Sequence, residues 1–596
     1  MATEDIYSLA GKYCQLEQDA SNKEFIQNLC KEKNNKQLEA LVRKPLTFGT
    51  AGLRAEMGPG FSRMNGLTVI QASQGLCEYL LENDPEVKTK GVVIGHDHRH
   101  HSESFARLTA AIFLSKGIRV IYYHKFVCTP FVPFTVNQYK TSCGIMITAS
   151  HNPKQYNGYK VYWSNACQII PPIDKGIANK IEENQIPWLW DEKMVDDPKY
   201  ANLVLDPYDE VIQKYQSCIG SLASYKEDNQ NTNVKFCYTA MHGVGLPFAR
   251  KSFESFGFKP FEEVDQQIEP DPDFPTVEFP NPEEGKGVLD LSIEKANATG
   301  ATVILANDPD ADRLAIAEKQ KDGTWYSFTG NQIGVILGSY TWEKFKNTGK
   351  KIAMVNSTVS TKMLEKIAKV ENFHFEETLT GFKWIGNKAI DLRKEGYTVP
   401  FGFEEAIGFM CGEFINDKDG ISALALVAEL AAQLAKKNMN IFDYLNSLYK
   451  KYGYFMCNNY YFICHEQDVI NAFFDNIRYG DEKQPSDNPS YDYKLNYPKE
   501  FGGKKVCYVR DLTIDYDSAT PDHKARLPTS KSSQMITFKL DSNDCAITLR
   551  TSGTEPKIKY YIELSGESKE DAEKELKVVF DGMISALNVR KYNLLK

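Results

Sequence analysis

From Gly91 onward the chain keeps a rhythm that few folds satisfy, in which short apolar runs alternate with stretches of helical pattern. GVVIG is followed by SESFARLTAAIFLSKG, then by RVIYYH, TPFVPFTVNQY and CGIMITAS. The alternation returns after Pro207, with VKFCYTA and ATVILAND as strands, and after Gly330, with KIAMVNS and VPFGFEE. Short strands separated by helices make βαβ units, and such units build mainly parallel sheets covered by helices. After about Gly453 strand-like runs dominate (NYYFICH, KVCYVRDL, SQMITFKL, CAITLRTS, KIKYYIELS), closed by an amphipathic helix over Lys569–Leu587. That texture predicts a smaller, largely antiparallel α+β domain. A chain of 596 residues exceeds what one core can serve. The expected division is therefore three α/β domains with mainly parallel mixed sheets, over 1–205, 206–328 and 329–453, and an α+β domain over 454–596. Residues 1–45 are polar and rich in helix formers, which predicts one or two leading helices. The polar segment Asp481–Lys499 predicts a surface loop.

Composition narrows function by exclusion. A net charge of −9 argues against a broad basic surface for nucleic acid and leaves room for a local positive pocket. Thirteen cysteines lie scattered singly from Cys14 to Cys545 without a C-x-x-C pair, which reads as reduced thiols and not as a disulfide frame or zinc site. The start, MATEDIYSLAGKY, lacks the apolar core of a signal peptide. The longest apolar run, Ile421 to Ala435, is interrupted by Glu429 and is too short to span a bilayer. A cytoplasmic protein with neither a nucleic-acid nor a membrane partner is expected.

Ligands on open α/β sheets bind beyond the carboxyl ends of the strands, so chemistry is sought in the loops that leave apolar runs. Thr148-Ala149-Ser150-His151-Asn152-Pro153 leaves CGIMI, with Lys160 shortly after it. A serine there is exposed for reaction, and it needs a base or an electrophilic partner to exchange a phosphoryl group. No G-x-S-x-G elbow surrounds it, which argues against a serine hydrolase. Asp308-Pro309-Asp310-Ala311-Asp312-Arg313 leaves ATVILAN. Its alternate carboxylates can converge on one hard cation, with Arg313 ready for a phosphate oxygen. An EF-hand does not fit, because its sixth and twelfth positions hold Arg313 and Lys319. Magnesium suits a site with few protein ligands and space for a phosphate oxygen. In Gly402–Gly408 the adjacent Glu404 and Glu405 can accept hydrogen bonds from sugar hydroxyls, although a capped helix start reads equally well. Arg550-Thr551-Ser552-Gly553-Thr554-Glu555-Pro556 offers a cation, hydroxyls and a close backbone approach to a phosphate dianion, or a simple glycine turn. His96, His98, His100 and His101 cluster after a strand, but their spacing fits no common zinc pattern.

Taken together and in this order, the four loops resemble those of the α-D-phosphohexomutase superfamily. The likeness extends to Phe48–Arg54, and ASHNPKQYNGYKVYW, NPEEGKGVL, NDPDADRLAIAEK, FEETLTGFKWIGN and PTSKSSQMITF are similar to its eukaryotic phosphoglucomutase/phosphopentomutase branch. That branch also includes a glucose 1,6-bisphosphate synthase. The resemblance implies a four-domain enzyme with one loop per domain meeting in a cleft, interconverting sugar 1-phosphates with their 5- or 6-phosphates. It implies Mg²⁺ held by Ser150, Asp308, Asp310 and Asp312, and glucose 1,6-bisphosphate as intermediate and activator. Ser150 would carry the phosphoryl group, and His151 and Lys160 match proton-transfer positions. Arg54 and Arg313 match cleft arginines, Thr50 lies in the matching first motif, and Thr380, Glu404, Glu405 and Lys418 match sugar-phosphate contacts. Arg550, Ser552, Gly553 and Thr554 match the distal phosphate clamp. Relatives with Gly-Glu-x-Ser in the sugar loop differ from this chain, which has Phe403 before Glu404 and Ala406 in the serine's place. The different-class alternative is an inactive sugar-phosphate-binding scaffold. A monomer or weak dimer is expected.

Overall fold

The computed structural model describes residues 4–49, 52–283, 287–480, 495–531, 533–542, 544–552, 557–592 and 594. They form two compact units, Met1–Asn356 with Gly381–Phe442, and Ser357–Thr380 with Asp443–Lys596.

The first unit begins with three helices, Ile6–Leu16, Ala20–Lys31 and Asn35–Val42, where one or two were expected. The extra break has a local cause. Asp5, Asp19 and Asn34 each accept hydrogen bonds from the backbone N–H groups of the turn that follows, so each restarts a helix. Tyr13, Ile26, Leu29, Leu38 and Val42 form their shared core.

Behind them lies a six-stranded sheet in the order Leu53–Glu56, Tyr156–Trp163, Cys143–Ile147, Val92–His96, Val120–Tyr122, Val204–Leu205. The last four strands run parallel and the first two are antiparallel additions. A second sheet repeats the plan. Glu262–Glu263, Phe236–Thr239 and Val303–Asn307 are parallel, then Leu314–Lys319 and Trp325–Ser327 add antiparallel. In the third, Ile352–Ser357 pairs parallel with Thr398–Glu404, which pairs antiparallel with Gly408–Cys411. So every loop singled out in this unit is the turn of the one antiparallel hairpin that ends a parallel run. The strand cores are buried on both faces, as parallel sheets under helices require.

The apolar run Ile421–Ala435 is a helix, Gly420–Ala435, buried along most of its length. Glu429 is tolerated inside because Tyr340 Oη, Lys344 Nζ and the backbone N–H groups of Ser224 and Tyr225 all donate to it. Among the described residues no helix is long and apolar enough to cross a membrane. All thirteen cysteines are free thiols.

In the second unit, Tyr454–Ile463, Lys557–Gly566, Ala546–Thr551, Met535–Leu540 and Lys504–Asp511 form an antiparallel sheet. The helix Lys569–Ala586 packs Val579 and Met583 into a core with Ile547, Leu549 and Ile562. Residues 357–380 belong to this unit through a different set of contacts. Val359 packs with Leu512 and Met535, the backbone of Lys362 donates to Glu563, and Lys362 and Arg510 both pair with Glu377. Of the polar loop expected over 481–499, residues 481–494 lie outside those described.

Candidate active site

Three hairpin turns of the first unit meet. Each contains a non-glycine residue in the left-handed region, Ser150 (φ 53°), Ala311 (φ 54°) and Ile407 (φ 49°). Such conformations cost about 1–3 kcal/mol each and persist only where the surroundings over-determine them. Here the surroundings are one another. Leu314 N donates to Ile407 O at 3.1 Å and Thr129 N to Asp310 O at 2.9 Å, while Arg313 and Gly408 form an isolated bridge. Pro309 seats against Gly243 so closely that a Cβ there would lie 2.3 Å from Pro309 Cα. Only glycine lets these two backbones approach so nearly.

Ser150 Oγ donates to Asp308 Oδ2 at 2.9 Å and lies 3.3 Å from His151 Nδ1. The expectation of an exposed serine is not met, since Ser150 is only 2% exposed. Its left-handed backbone turns the hydroxyl inward onto the aspartates, and Thr148 Oγ1 accepts from its N–H at 2.9 Å. Partial burial, then the Arg313 and Arg54 cations, hold His151 well below its ordinary pKa, so it is neutral and able to accept a proton.

Asp308, Asp310 and Asp312 are fully buried, and one carboxylate oxygen from each lies within 4.8 Å of the others. The convergence read from their alternate spacing is real. Lys160 Nζ reaches Asp310 Oδ2 at 2.7 Å and Asp312 Oδ2 at 3.0 Å, and Lys418 Nζ reaches the same Asp312 oxygen at 3.0 Å. Burial alone would raise the Asp310 pKa, but Lys160 and the Thr129 hydroxyl overcome it and hold it far below the carboxylate range. Asp308 moves the other way, raised by burial and by repulsion from Asp310 and Asp312. Asp310 Oδ1 and Asp312 Oδ1 are buried and have no hydrogen-bond partner among the described residues. Two orphaned carboxylate oxygens beside a third carboxylate fit a hard divalent cation, which would relieve both the repulsion and the lost hydrogen bonds.

Arg313 donates its N–H to Asp308 Oδ1 at 3.0 Å and its Nε lies 3.9 Å from Asp312 Oδ1. Arg54 is exposed and donates to Asn152 Oδ1 at 3.2 Å. Glu404 is buried, and desolvation lifts its pKa to about 7 against the pull of Lys418 and Arg313, with Glu405 pushing it further up. Lys418 therefore stands between the aspartates and the sugar loop. Thr129 escaped the reading of the sequence. Its hydroxyl donates to Asp310 Oδ2 at 2.5 Å, fixing that carboxylate so that the other oxygen faces inward. The Cys128-Thr129-Pro130 turn after a strand was the available sign.

In the second unit, Arg550 Nη2 donates to Tyr561 Oη at 3.0 Å, and its buried Nε has no partner among the described residues. Ser552 N donates to Lys557 O at 2.9 Å. Thr380 is partly exposed just beyond the strand His374–Thr378. Thr50, Gly553 and Thr554 lie outside the described residues. The histidines 96–101 do not gather. His96 and His98 pack on Phe126, His100 faces Asp273 and His101 stacks on Phe105.

Residues 45–187, 213–323 and 329–452 match alpha/beta/alpha domains I, II and III of phosphoglucomutase/phosphomannomutase. The human phosphopentomutase is 48% identical over 590 residues, covering 96% of this chain and 94% of its own. The human glucose 1,6-bisphosphate synthase is 44% identical, covering 96% and 93%. The exocytosis-sensitive phosphoprotein parafusin of Paramecium, a phosphoglucomutase solved in an open form, superposes with a TM-score of 0.66 at 18% identity over 92% of this chain and 96% of that one. The fold is shared with it.

Proposed function

The chain belongs to the phosphoglucomutase/phosphomannomutase family, and from that premise we propose that it is a sugar-phosphate mutase acting through a phosphorylated Ser150 on pentose and hexose 1-phosphates. The observation that carries this reading is the hydrogen bond from Ser150 Oγ to Asp308, set in a buried triad with two unpartnered carboxylate oxygens. Asp308, Asp310, Asp312 and the Ser150 phosphate would hold Mg²⁺, which when bound supplies charge neutralisation to a transferring phosphoryl group.

The chain's own groups then position and neutralise, which is most of what phosphoryl transfer requires. Phosphoserine 150 gives its phosphoryl group to the free hydroxyl of a sugar monophosphate. The bond from phosphorus to Ser150 Oγ breaks, a bond to the sugar oxygen forms, and the hydroxyl proton ends on Ser150 Oγ. Lys160 and His151 would move that proton. The resulting bisphosphate turns around and its other phosphoryl group returns to Ser150. Arg54 and Arg313 neutralise phosphoryl oxygens, Glu404, Glu405 and Lys418 meet sugar hydroxyls, and Thr50 and Thr380 complete the substrate contacts. Arg550, Ser552, Gly553 and Thr554 bind phosphate. The four-part division drawn from the sequence, a cytoplasmic location and a monomeric or weakly dimeric state belong to the same proposal.

The test is one panel of glucose 1-phosphate, ribose 1-phosphate and deoxyribose 1-phosphate, each with and without glucose 1,6-bisphosphate and with EDTA followed by Mg²⁺. Interconversion of pentose 1- and 5-phosphates that is stimulated by bisphosphate and abolished by EDTA supports the mutase. The 44% identity to a bisphosphate synthase favours a second reading. Net bisphosphate accumulation from 1,3-bisphosphoglycerate and glucose 1-phosphate would select it. No turnover under any condition would leave a binding scaffold.

A further inference from the structure

Arg99 follows the strand Val92–His96 and is 3% exposed. Its two terminal nitrogens donate to four backbone carbonyls of a single loop. Nη2 reaches Ser150 O at 2.5 Å and Asn152 O at 2.7 Å, and Nη1 reaches Pro153 O at 3.0 Å and Tyr156 O at 3.3 Å. Nε lies 3.3 Å from Asp97 Oδ2, and both side chains of that ion pair are fully buried. Asp97 is itself tied down, since its other oxygen accepts from Arg99 N at 3.0 Å and Ser102 Oγ at 2.6 Å. The Phe274 ring covers the guanidinium at 4.9 Å and is itself buried.

All four terminal N–H bonds are used by the loop, and the remaining one, on Nε, is buried against Asp97 and not turned to a substrate phosphate. Among the described residues the Arg313 and Arg54 side chains, by contrast, donate to no backbone carbonyl. We infer that Arg99 is a positioning residue for phosphoryl transfer, its planar fork fixing the left-handed turn that aims Ser150 Oγ at the aspartates. The inference rests on the assignment of Ser150 as the group that carries phosphoryl. Carbonyl oxygens from residues 150, 152, 153 and 156 converge on this one guanidinium. A rigid fork with two N–H bonds on each terminal nitrogen can satisfy all four at once, and a lysine ammonium, with three donors on one flexible stem, cannot. A loop free to drift by about 1 Å loses on the order of a hundredfold in rate even when binding is intact.

The experiment compares wild type, Arg99→Lys, Asp97→Asn and Ser150→Ala as full-length proteins. Melting temperature and folded fraction are measured for each, together with kcat and KM for glucose 1-phosphate. Rapid-quench mass spectrometry then follows the transfer of phosphoryl from glucose 1,6-bisphosphate to the Ser150 peptide. Arg99→Lys is expected to keep KM within about threefold while kcat and the transfer rate per folded molecule fall on the order of a hundredfold. Asp97→Asn, which keeps the fork and loosens its anchor, should show the same split at about tenfold and serves if the lysine variant does not fold. Wild-type kcat per folded molecule in either folded variant overturns the inference, as does a change confined to KM. If Ser150→Ala still turns over, the phosphoserine reading itself falls. If it is inert while Arg99→Lys is normal, only the role of Arg99 falls.

Discussion

Around Ser150 and the aspartates most polar groups are already committed to one another, Asp310 Oδ1 and Asp312 Oδ1 excepted. Asp310 alone takes bonds from Thr129 and Lys160, Asp312 from Lys160 and Lys418, and Asp308 from Ser150 and Arg313. The sugar loop one hairpin away is built differently. Glu404 is surrounded by charge, with Lys418 and Arg313 drawing it towards ionisation and burial and Glu405 opposing them, so it is poised near neutrality. The cluster proposed to meet the phosphoryl group is largely organised before a ligand arrives, as electrostatic catalysis requires. The loop assigned to the sugar leaves part of its settlement to the ligand, which suits the proposed reaction, in which a bisphosphate binds in two orientations.

The largest effect is expected at Ser150. Ser150→Ala should bind sugar phosphate as wild type does, by calorimetry, and lose about 10⁴-fold or more in turnover. A folded variant with near-normal activity would remove the organised half of the contrast altogether. Arg550→Ala comes next. A charge-assisted contact to phosphate is worth about 1.5–3 kcal/mol, so catalytic efficiency should fall roughly ten- to a hundredfold while Mg²⁺ affinity stays unchanged. An unaltered efficiency would make that loop a turn and nothing more.

The poised carboxylate is tested by pH. Glu404 in the folded chain holds its proton up to about pH 7, against an ordinary value of 4.5 in the unfolded one. Between those values the folded state binds more protons, so wild-type stability falls as pH rises, by about 1–3 kcal/mol from this group. Glu404→Gln lacks that slope. In ligand-free melts its advantage over wild type should be small at pH 4.5, grow towards pH 7 and level off above it. An advantage independent of pH would show that Glu404 is an ordinary carboxylate. The smallest expected effect is at Ala406, whose side chain offers no hydrogen bond to a sugar hydroxyl. Wild type should use deoxyribose 1-phosphate at least as well as glucose 1-phosphate. Ala406→Ser should move the kcat/KM ratio towards glucose by roughly two- to tenfold, the worth of one hydroxyl contact. A hundredfold wild-type preference for glucose would sink this prediction.

Much of this was legible in the chain because it is local. Apolar runs located the loops at 148–153, 308–313 and 402–408, the last of them starting inside the strand Thr398–Glu404, and the alternate spacing of the aspartates pointed to their convergence. What could not be read depends on partners far apart in sequence. Thr129 meets Asp310 across 181 positions, and Lys418 meets Asp312 from the start of a helix whose pattern speaks only of burial. The packing of Val359, Lys362 and Glu377 with Leu512, Glu563 and Arg510 leaves no trace in periodicity, because any amphipathic segment could have filled that face. Arg99 sits in plain view after a strand, yet nothing local distinguishes an arginine that binds carbonyls from one that awaits a phosphate.

Each of the three turns closes an antiparallel hairpin whose two strands are held in register by the neighbouring ladder. Side chains alternate between faces with a period of two, so one inserted residue in Thr398–Glu404 or Val303–Asn307 would turn every later side chain of that strand to the wrong face. Substitutions inside the turn carry no such penalty. Within this architecture the side chains of a turn, as at Ala406, can be replaced without moving the strands, whereas the strands cannot change length without losing register, so new sugar preferences should arise by replacement in the turns and not by insertion in the strands.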